Sequence, residues 1–165
     1  MSDLQRLNLH HVGYVVPEIA PVAQQYVTRY GYRLASPIVH DPVQTAFVQF
    51  LQLPGDTTYL ELVAPDGAAS KLANATRRSG KLHHLCYAVD RLRDTLPYLE
   101  ANGMVLISLL TPAIAFNGRR ICWLMDETSL LVELVERREP ADICHPLTIG
   151  DNQESCHATL KDIDD

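Results

Sequence analysis

The chain has 165 residues, 47% hydrophobic and 21% charged, enough for one well-packed domain or two small halves sharing a core. A net charge of −6, with no basic run beyond the pairs Arg77–Arg78, Arg119–Arg120 and Arg137–Arg138, argues against a nucleic-acid or anionic-membrane partner. No apolar stretch approaches the roughly 20 residues that cross a bilayer, and "MSDLQRLNLHH" carries no signal-peptide pattern, so a soluble cytoplasmic protein with no membrane partner is expected.

In chain order, "LNLHHVGYVV" reads as a strand. An amphipathic helix follows, with Pro17 and Glu18 suited to its first turn, a stripe of Val22, Tyr26 and Val27, and Gly31 at its end. Three more strands are expected in "YRLASPIV", "TAFVQFLQL" and "TTYLELVA". The linker "ASKLANATRR" could make one short helix. The pattern then starts again. "GKLHHLCYAV" is a strand, Leu92, Leu96 and Leu99 stripe a helix that stops at Gly103, and "MVLISLL", "RRICWLM" and "SLLVELVE" are strands.

This is a duplication. "LHHVGYVV" from Leu9 recurs as "LHHLCYAV" from Leu82, and "YLELV" from Tyr59 recurs as "LVELV" from Leu131. The expected fold class is therefore α+β: two tandem βαβββ modules, residues 7–65 and 80–137 with linker 66–79, forming a curled mixed sheet around a central cavity. Together they make one domain, 7–137, with an acidic, loose tail over 138–165. Cys86, Cys122, Cys144 and Cys156 form no CxxC pair and read as reduced thiols, and the Cys144–His145 and Cys156–His157 pairs match no common zinc spacing.

Glu61 and Glu133 stand in the middle of strand-like runs, where an ionised carboxylate is costly unless compensated. Each could simply face water from the wet side of an antiparallel sheet. Strand alternation, however, places His11 with Leu9, Gly13 and Val15, and His84 with Leu82 and Cys86, with His10 and His83 on the opposite faces. Parity alone does not say which face is inside. If the first and last strands of each module are neighbours, one histidine and one glutamate from each module converge. Two imidazoles and two carboxylates suit one divalent ion such as Zn, Ni, Co, Mn or Fe, whose charge would explain the buried glutamates.

At these residues the sequence resembles the vicinal oxygen chelate superfamily, which includes glyoxalase I, extradiol dioxygenases, bleomycin-resistance proteins and methylmalonyl-CoA epimerases. The nearest likeness, in "HHVGYVV", "ASKLANATRRSGKLHHLCYAV" and "NGRRICWLMDETSLLVELVE", is to the epimerases. The resemblance implies His11, Glu61, His84 and Glu133 as metal ligands, a homodimer, and removal of a proton α to a carbonyl, with a CoA thioester such as methylmalonyl-CoA as substrate. Glu133 would serve as ligand and base. The family's second acid–base glutamate has no glutamate counterpart here, and His40 and Asp41 in "VHDPVQTAF" are the nearest candidates. "LMD" at Leu124–Asp126 replaces the family's usual "LHP". Alternatives are a glyoxalase I-like lyase acting on a glutathione hemithioacetal, a metal-free small-molecule-binding protein, and a tailoring enzyme whose acidic tail docks a carrier.

Overall fold

The first strands of the two repeats, β1 (Asn8–Val15) and β6 (Lys81–Val89), lie antiparallel at the centre of a ten-stranded mixed sheet. The structure is a computed structural model and describes residues 7–76 and 81–148. The expectations for Arg77, Arg78, Gly80, Cys156 and His157 lie outside the described residues. In the first repeat β1 leads through α1 (Ile19–Tyr30) to β2 (Arg33–Leu34), β3 (Val39–Asp41), β4 (Ala46–Gln52) and β5 (Tyr59–Pro65). In the second, β6 leads through α2 (Leu92–Ala101) to β7 (Val105–Leu106), β8 (Thr111–Ala113), β9 (Arg119–Met125) and β10 (Leu131–Glu136). The order across the sheet is β2-β4-β5-β1-β6-β10-β9-β7, with β3 added to β4 and β8 to β9. Both last strands run parallel beside the first strand of their own repeat. One chain thus pairs its two modules with each other.

The sequence expected "YRLASPIV" to be one strand. It is two, β2 and β3, because Pro37 between them has no N–H to continue a ladder, and the Ser36 hydroxyl takes the Phe50 N–H in its place. Likewise only Val105–Leu106 of "MVLISLL" pairs, and β8 forms beyond it. The linker is not a helix over its described part. Residues 67–76 make successive turns, pulled onto the sheet where the Ser70 hydroxyl donates to the Thr45 carbonyl and the Lys71 N–H to the Thr45 hydroxyl.

Alternation in the strands sorts their side chains onto two faces. Leu60, Leu62 and Ala64 of β5 pack with Ile19 and Ala23 under α1, and Leu134, Val132, Cys122 and Leu124 pack with Leu92 and Leu96 under α2. α1 ends where Gly31 takes a left-handed φ of 77° and its N–H returns to Tyr26 and Val27. α2 lacks a side-chain cap of its own, and the Glu136 carboxylate supplies one by accepting the Leu92 N–H. The opposite face, with Val48, Phe50, Val63, Ala88, Phe116, Ile121 and Val135, surrounds the cavity.

Residues 138–148 differ from the expected loose tail. Asp142 accepts two hydrogen bonds from Arg119, at 2.7 and 2.8 Å, and others from the backbone of Arg138 and Cys144. The Leu147 N–H then donates to Ala115. Satisfying that carboxylate ties the segment to the second module. Among the described residues no helix is long and apolar enough to cross a membrane.

Candidate metal centre

The register between β1 and β6 shifts twice. Leu9 pairs Tyr87 while His11 pairs Cys86, which leaves His10 as an extra residue; Gly13 pairs His84 while Tyr14 pairs Leu82, which leaves His83 extra. Each is a β-bulge, and a bulge lets two successive side chains turn to the same side. The strict alternation expected from sequence, with His10 and His83 on the far faces, is therefore corrected. His10 packs among Phe50, Tyr59 and Phe116 of the cavity face, and each pair meets nitrogen to nitrogen, Nδ1 to Nδ1, at 2.8 Å.

The bulges leave His11 and His84 aimed at each other across the seam, with Nε2 atoms 2.8 Å apart. β5 and β10 flank them. Glu61 Oε2 lies 3.3 Å from His11 Nε2 and 3.1 Å from His84 Nε2, and Glu133 Oε2 lies 3.2 and 3.5 Å from the same atoms. All four residues are buried, none more than 5% exposed. Donors bound about 2.1 Å from an ion and about 90° apart lie about 3 Å from one another, so these spacings fit the edges of one coordination sphere. The four residues the sequence singled out as ligands come together, and His11, Glu61 and His84 by themselves form a possible metal-binding group.

The charges balance in a way that suits an ion. Burial alone would push both glutamates up, but the His11 and His84 contacts override it, holding Glu61 well below the usual range and bringing Glu133 down to about 2. Burial likewise pulls His84 down, yet hydrogen bonds to Glu133 and Glu61 raise it to about 9, and His11 is raised too, chiefly by Glu61. The two carboxylates thus favour positive charge between the facing imidazoles, whose 2.8 Å Nε2 contact leaves room for one shared proton, and a divalent ion would supply that charge instead. Loading at pH 7 is expected to release a proton from the imidazole pair, and the apparent affinity to rise with pH until His84 loses its proton near about pH 9. Calorimetry in buffers of different ionisation enthalpy measures this. The outer imidazoles are different: burial and the neighbouring His11 or His84 lower His10 to about 3 and His83 to about 4. Cys86 lies close enough to His10 and His11 to form a second possible group, but burial and the adjacent Glu133 hold its thiol protonated.

Beside these residues a chamber of about 60 Å³ is lined by Asp41, Glu61, His84, Glu133, Phe116 and Trp123. It adjoins an outer cavity of about 440 Å³ that shares His83 and Trp123 and adds Lys71 and Ser108. Of the two acid–base candidates the geometry brings only Asp41 here. β3 alternates, so Asp41 is buried facing the chamber, its Oδ1 accepting the Val43 and Gln44 N–H groups, whereas His40 is exposed and bound to Asp66 at 3.0 Å. Trp123 stands edge-on to His84 with ring centres 4.8 Å apart, and its buried indole N–H has no acceptor among the described residues.

Sequence reasoning missed Gly13. A Cβ built there would lie 2.1 Å from His84 Cε1 and 2.3 Å from its Nδ1, so the imidazole occupies the space a side chain would need. A signal was present: the residue two places after the second histidine is small in both copies, Gly13 and Cys86, and each sits opposite the other copy's second histidine.

Residues 10–123 match the Glyoxalase/Bleomycin resistance protein/Dioxygenase superfamily. The chain belongs to that superfamily. Among curated relatives it is 30% identical over 130 residues to the ethylmalonyl-CoA/methylmalonyl-CoA epimerase of Cereibacter sphaeroides, covering 76% of this chain and 95% of that one. It is 29% identical over 135 residues to the mitochondrial methylmalonyl-CoA epimerase of Dictyostelium discoideum, covering 78% of each. Methylmalonyl-CoA epimerase from Mycobacterium tuberculosis shares the fold with a TM-score of 0.72 at 24% identity, covering 82% of this chain and 91% of its own.

Proposed function

We propose that this chain is an epimerase that removes and returns the proton α to the carbonyl of a CoA thioester, methylmalonyl-CoA or a close homologue, with one divalent ion held by His11, Glu61, His84 and Glu133. The observation that carries the reading is the convergence of two imidazole nitrogens and two carboxylate oxygens, all within 3.5 Å across the imidazole–carboxylate contacts, at the floor of a cavity. It is supported by the 30% identity to an enzyme named for that reaction. When bound, the ion would supply positive charge beside the oxygen on which negative charge develops as the proton leaves.

The protein groups do the rest. Glu133 faces the chamber from β10 and takes the proton from one side of the α-carbon. Asp41, carrying a proton of its own, faces the same chamber from β3 and delivers that proton from the other side, after which both carboxyl groups re-equilibrate with solvent. The orphaned Trp123 indole N–H is a donor for a substrate oxygen, and a buried donor left without an acceptor costs about 1–3 kcal/mol that such an oxygen would recover. The larger outer cavity leaves room for the thioester arm. Association into a homodimer belongs to this reading too, and because one chain supplies all four ligands, dilution to monomer is expected to leave metal affinity unchanged.

The test is metal analysis followed by proton exchange. One ion per chain on titration, and deuterium uptake at the α-carbon of methylmalonyl-CoA in heavy water, are expected. A protein that takes up no divalent ion but still binds a small ligand would be a binding protein of this fold instead. Asp41→Asn is expected to slow interconversion of the two epimers by roughly 10²–10³-fold while one epimer still exchanges its α-proton with solvent. His40→Gln should behave as wild type, since His40 faces away from the chamber. Equal effects of the two substitutions would remove Asp41 from the mechanism.

A further inference from the structure

Residues 138–148 lie beyond the duplicated modules, and an epimerase site does not obviously need them. Their geometry nevertheless ends on His10, the neighbour of a proposed metal ligand. The Arg119 guanidinium clasps the Asp142 carboxylate, whose Oδ1 accepts the Cys144 N–H. Cys144 adopts a left-handed φ of 55°, which a non-glycine residue rarely takes, and its carbonyl meets His10 Nε2 at 2.9 Å. His10 is the bulged residue of β1, 3% exposed, and its other nitrogen meets His11 Nδ1.

We propose that this C-terminal strap is a working part of the metal centre: the Cys144 carbonyl fixes the tautomer of His10, and His10 thereby fixes the tautomer of His11. The inference rests on reading the cluster as a metal site. A carbonyl can only accept, so His10 Nε2 carries the proton and donates it. A neutral His10 ring then has a bare Nδ1. With the two Nδ1 atoms 2.8 Å apart, the proton between them belongs to His11. A neutral His11 protonated at Nδ1 is bare at Nε2, the atom that faces Glu61, Glu133 and His84. A metal-ligating histidine is held in this way through its outer nitrogen. His10 is thus a positioning residue for the reaction, and the strap is what positions it. The second copy repeats the His83–His84 contact, but His83 lines the cavity, where substrate rather than the strap can reach it. The duplication has been broken so that one ligand is locked by the chain's own C-terminal segment.

The test uses the full chain and Co(II) as probe, with affinity read by chelator competition and folding by circular dichroism. His10→Phe removes both hydrogen bonds and is expected to weaken Co(II) binding by roughly 10–100-fold. His10→Gln keeps a donor and an acceptor and is expected to stay within a few-fold of wild type. Asp142→Ala frees the strap and should weaken binding in the same direction as His10→Phe. In nitrogen-15 spectra of wild type, His10 is expected as the neutral tautomer protonated at Nε2. A folded His10→Phe that binds Co(II) like wild type would overturn the proposal. So would His10→Gln binding as weakly as His10→Phe, or a His10 protonated at Nδ1. If His10→Phe does not fold, His10→Gln, Asp142→Ala and the tautomer decide. Should wild type take up no Co(II), the metal reading fails, while the spectrum of the metal-free protein still tests the lock.

Discussion

Glu133→Gln is expected to lower α-proton exchange by roughly 10³-fold or more at saturating metal, while the melting curve stays close to wild type. The two side chains have nearly the same volume, and the site is close-packed, so the substitution leaves no void. What it removes is the carboxylate proposed to take the proton. A neutral amide can still offer an oxygen to a metal ion but has no useful basicity at neutral pH. Because Glu133 is also a proposed ligand, weaker metal binding could mimic the loss of a base. Glu61→Gln separates the two effects. Glu61 meets the same pair of imidazole nitrogens at 3.1 and 3.3 Å, so its loss perturbs the ion's charge balance to a similar degree. With metal saturating, Glu61→Gln should retain exchange within about tenfold if the proton goes to Glu133 alone. Equal losses in the two variants would assign the chemistry to the ion's environment and not to Glu133.

Much of this site was legible because duplication doubles the signal. A lone glutamate in "LVELV" reads as a residue facing water; the same residue at the same place in two copies, each about fifty positions after a histidine, constrains four side chains at once. Alternation then gave the right face for β5 and β10, where Leu60, Leu62 and Ala64 do pack beneath α1 and Glu61 does not. It failed in β1 and β6 for one physical reason. Alternation assumes an unbroken ladder, and the extra residue of a bulge is decided by pairing with another strand, which no single-strand pattern encodes. His10 and His83 were misplaced for that cause. The strap was misread because its anchor, Arg119 to Asp142, joins residues whose proximity depends on how β9 leads back past the C-terminal segment. His40 and Asp41 could not be separated from sequence because the start of β3 sets the parity, and Pro37 and Pro42 leave that start undefined.

Gly13→Ala should disable the centre more thoroughly than any change to a neighbouring non-ligand. Gly13 lies directly opposite His84 across the β1–β6 seam, and the added methyl would fall 2.1–2.8 Å from three atoms of its ring. Real Cβ atoms do not approach that closely, so either the strand or the imidazole must move. The imidazole has little freedom. Trp123 stands against it edge-on, His83 holds its Nδ1, and its Nε2 faces both carboxylates. The backbone is equally constrained, since β1 is paired on both sides, with β5 and with β6. Overpacking of this kind costs about 1–3 kcal/mol, which for a domain of this size lowers the melting temperature by roughly 2–12 °C. The larger effect is on the ligand set. Displacing His84 by even about 1 Å takes one donor out of a sphere whose donors sit about 2.1 Å from the ion, and Co(II) affinity should fall by roughly 100-fold or more. Cys86→Ala is the matching control, because Cys86 occupies the equivalent place opposite His11 but already carries a Cβ, so trimming its sulfur removes atoms without forcing any ring aside. If Gly13→Ala binds Co(II) as tightly as Cys86→Ala, the space at Gly13 is not what seats His84, and the close approach of the two modules at that point has some other cause.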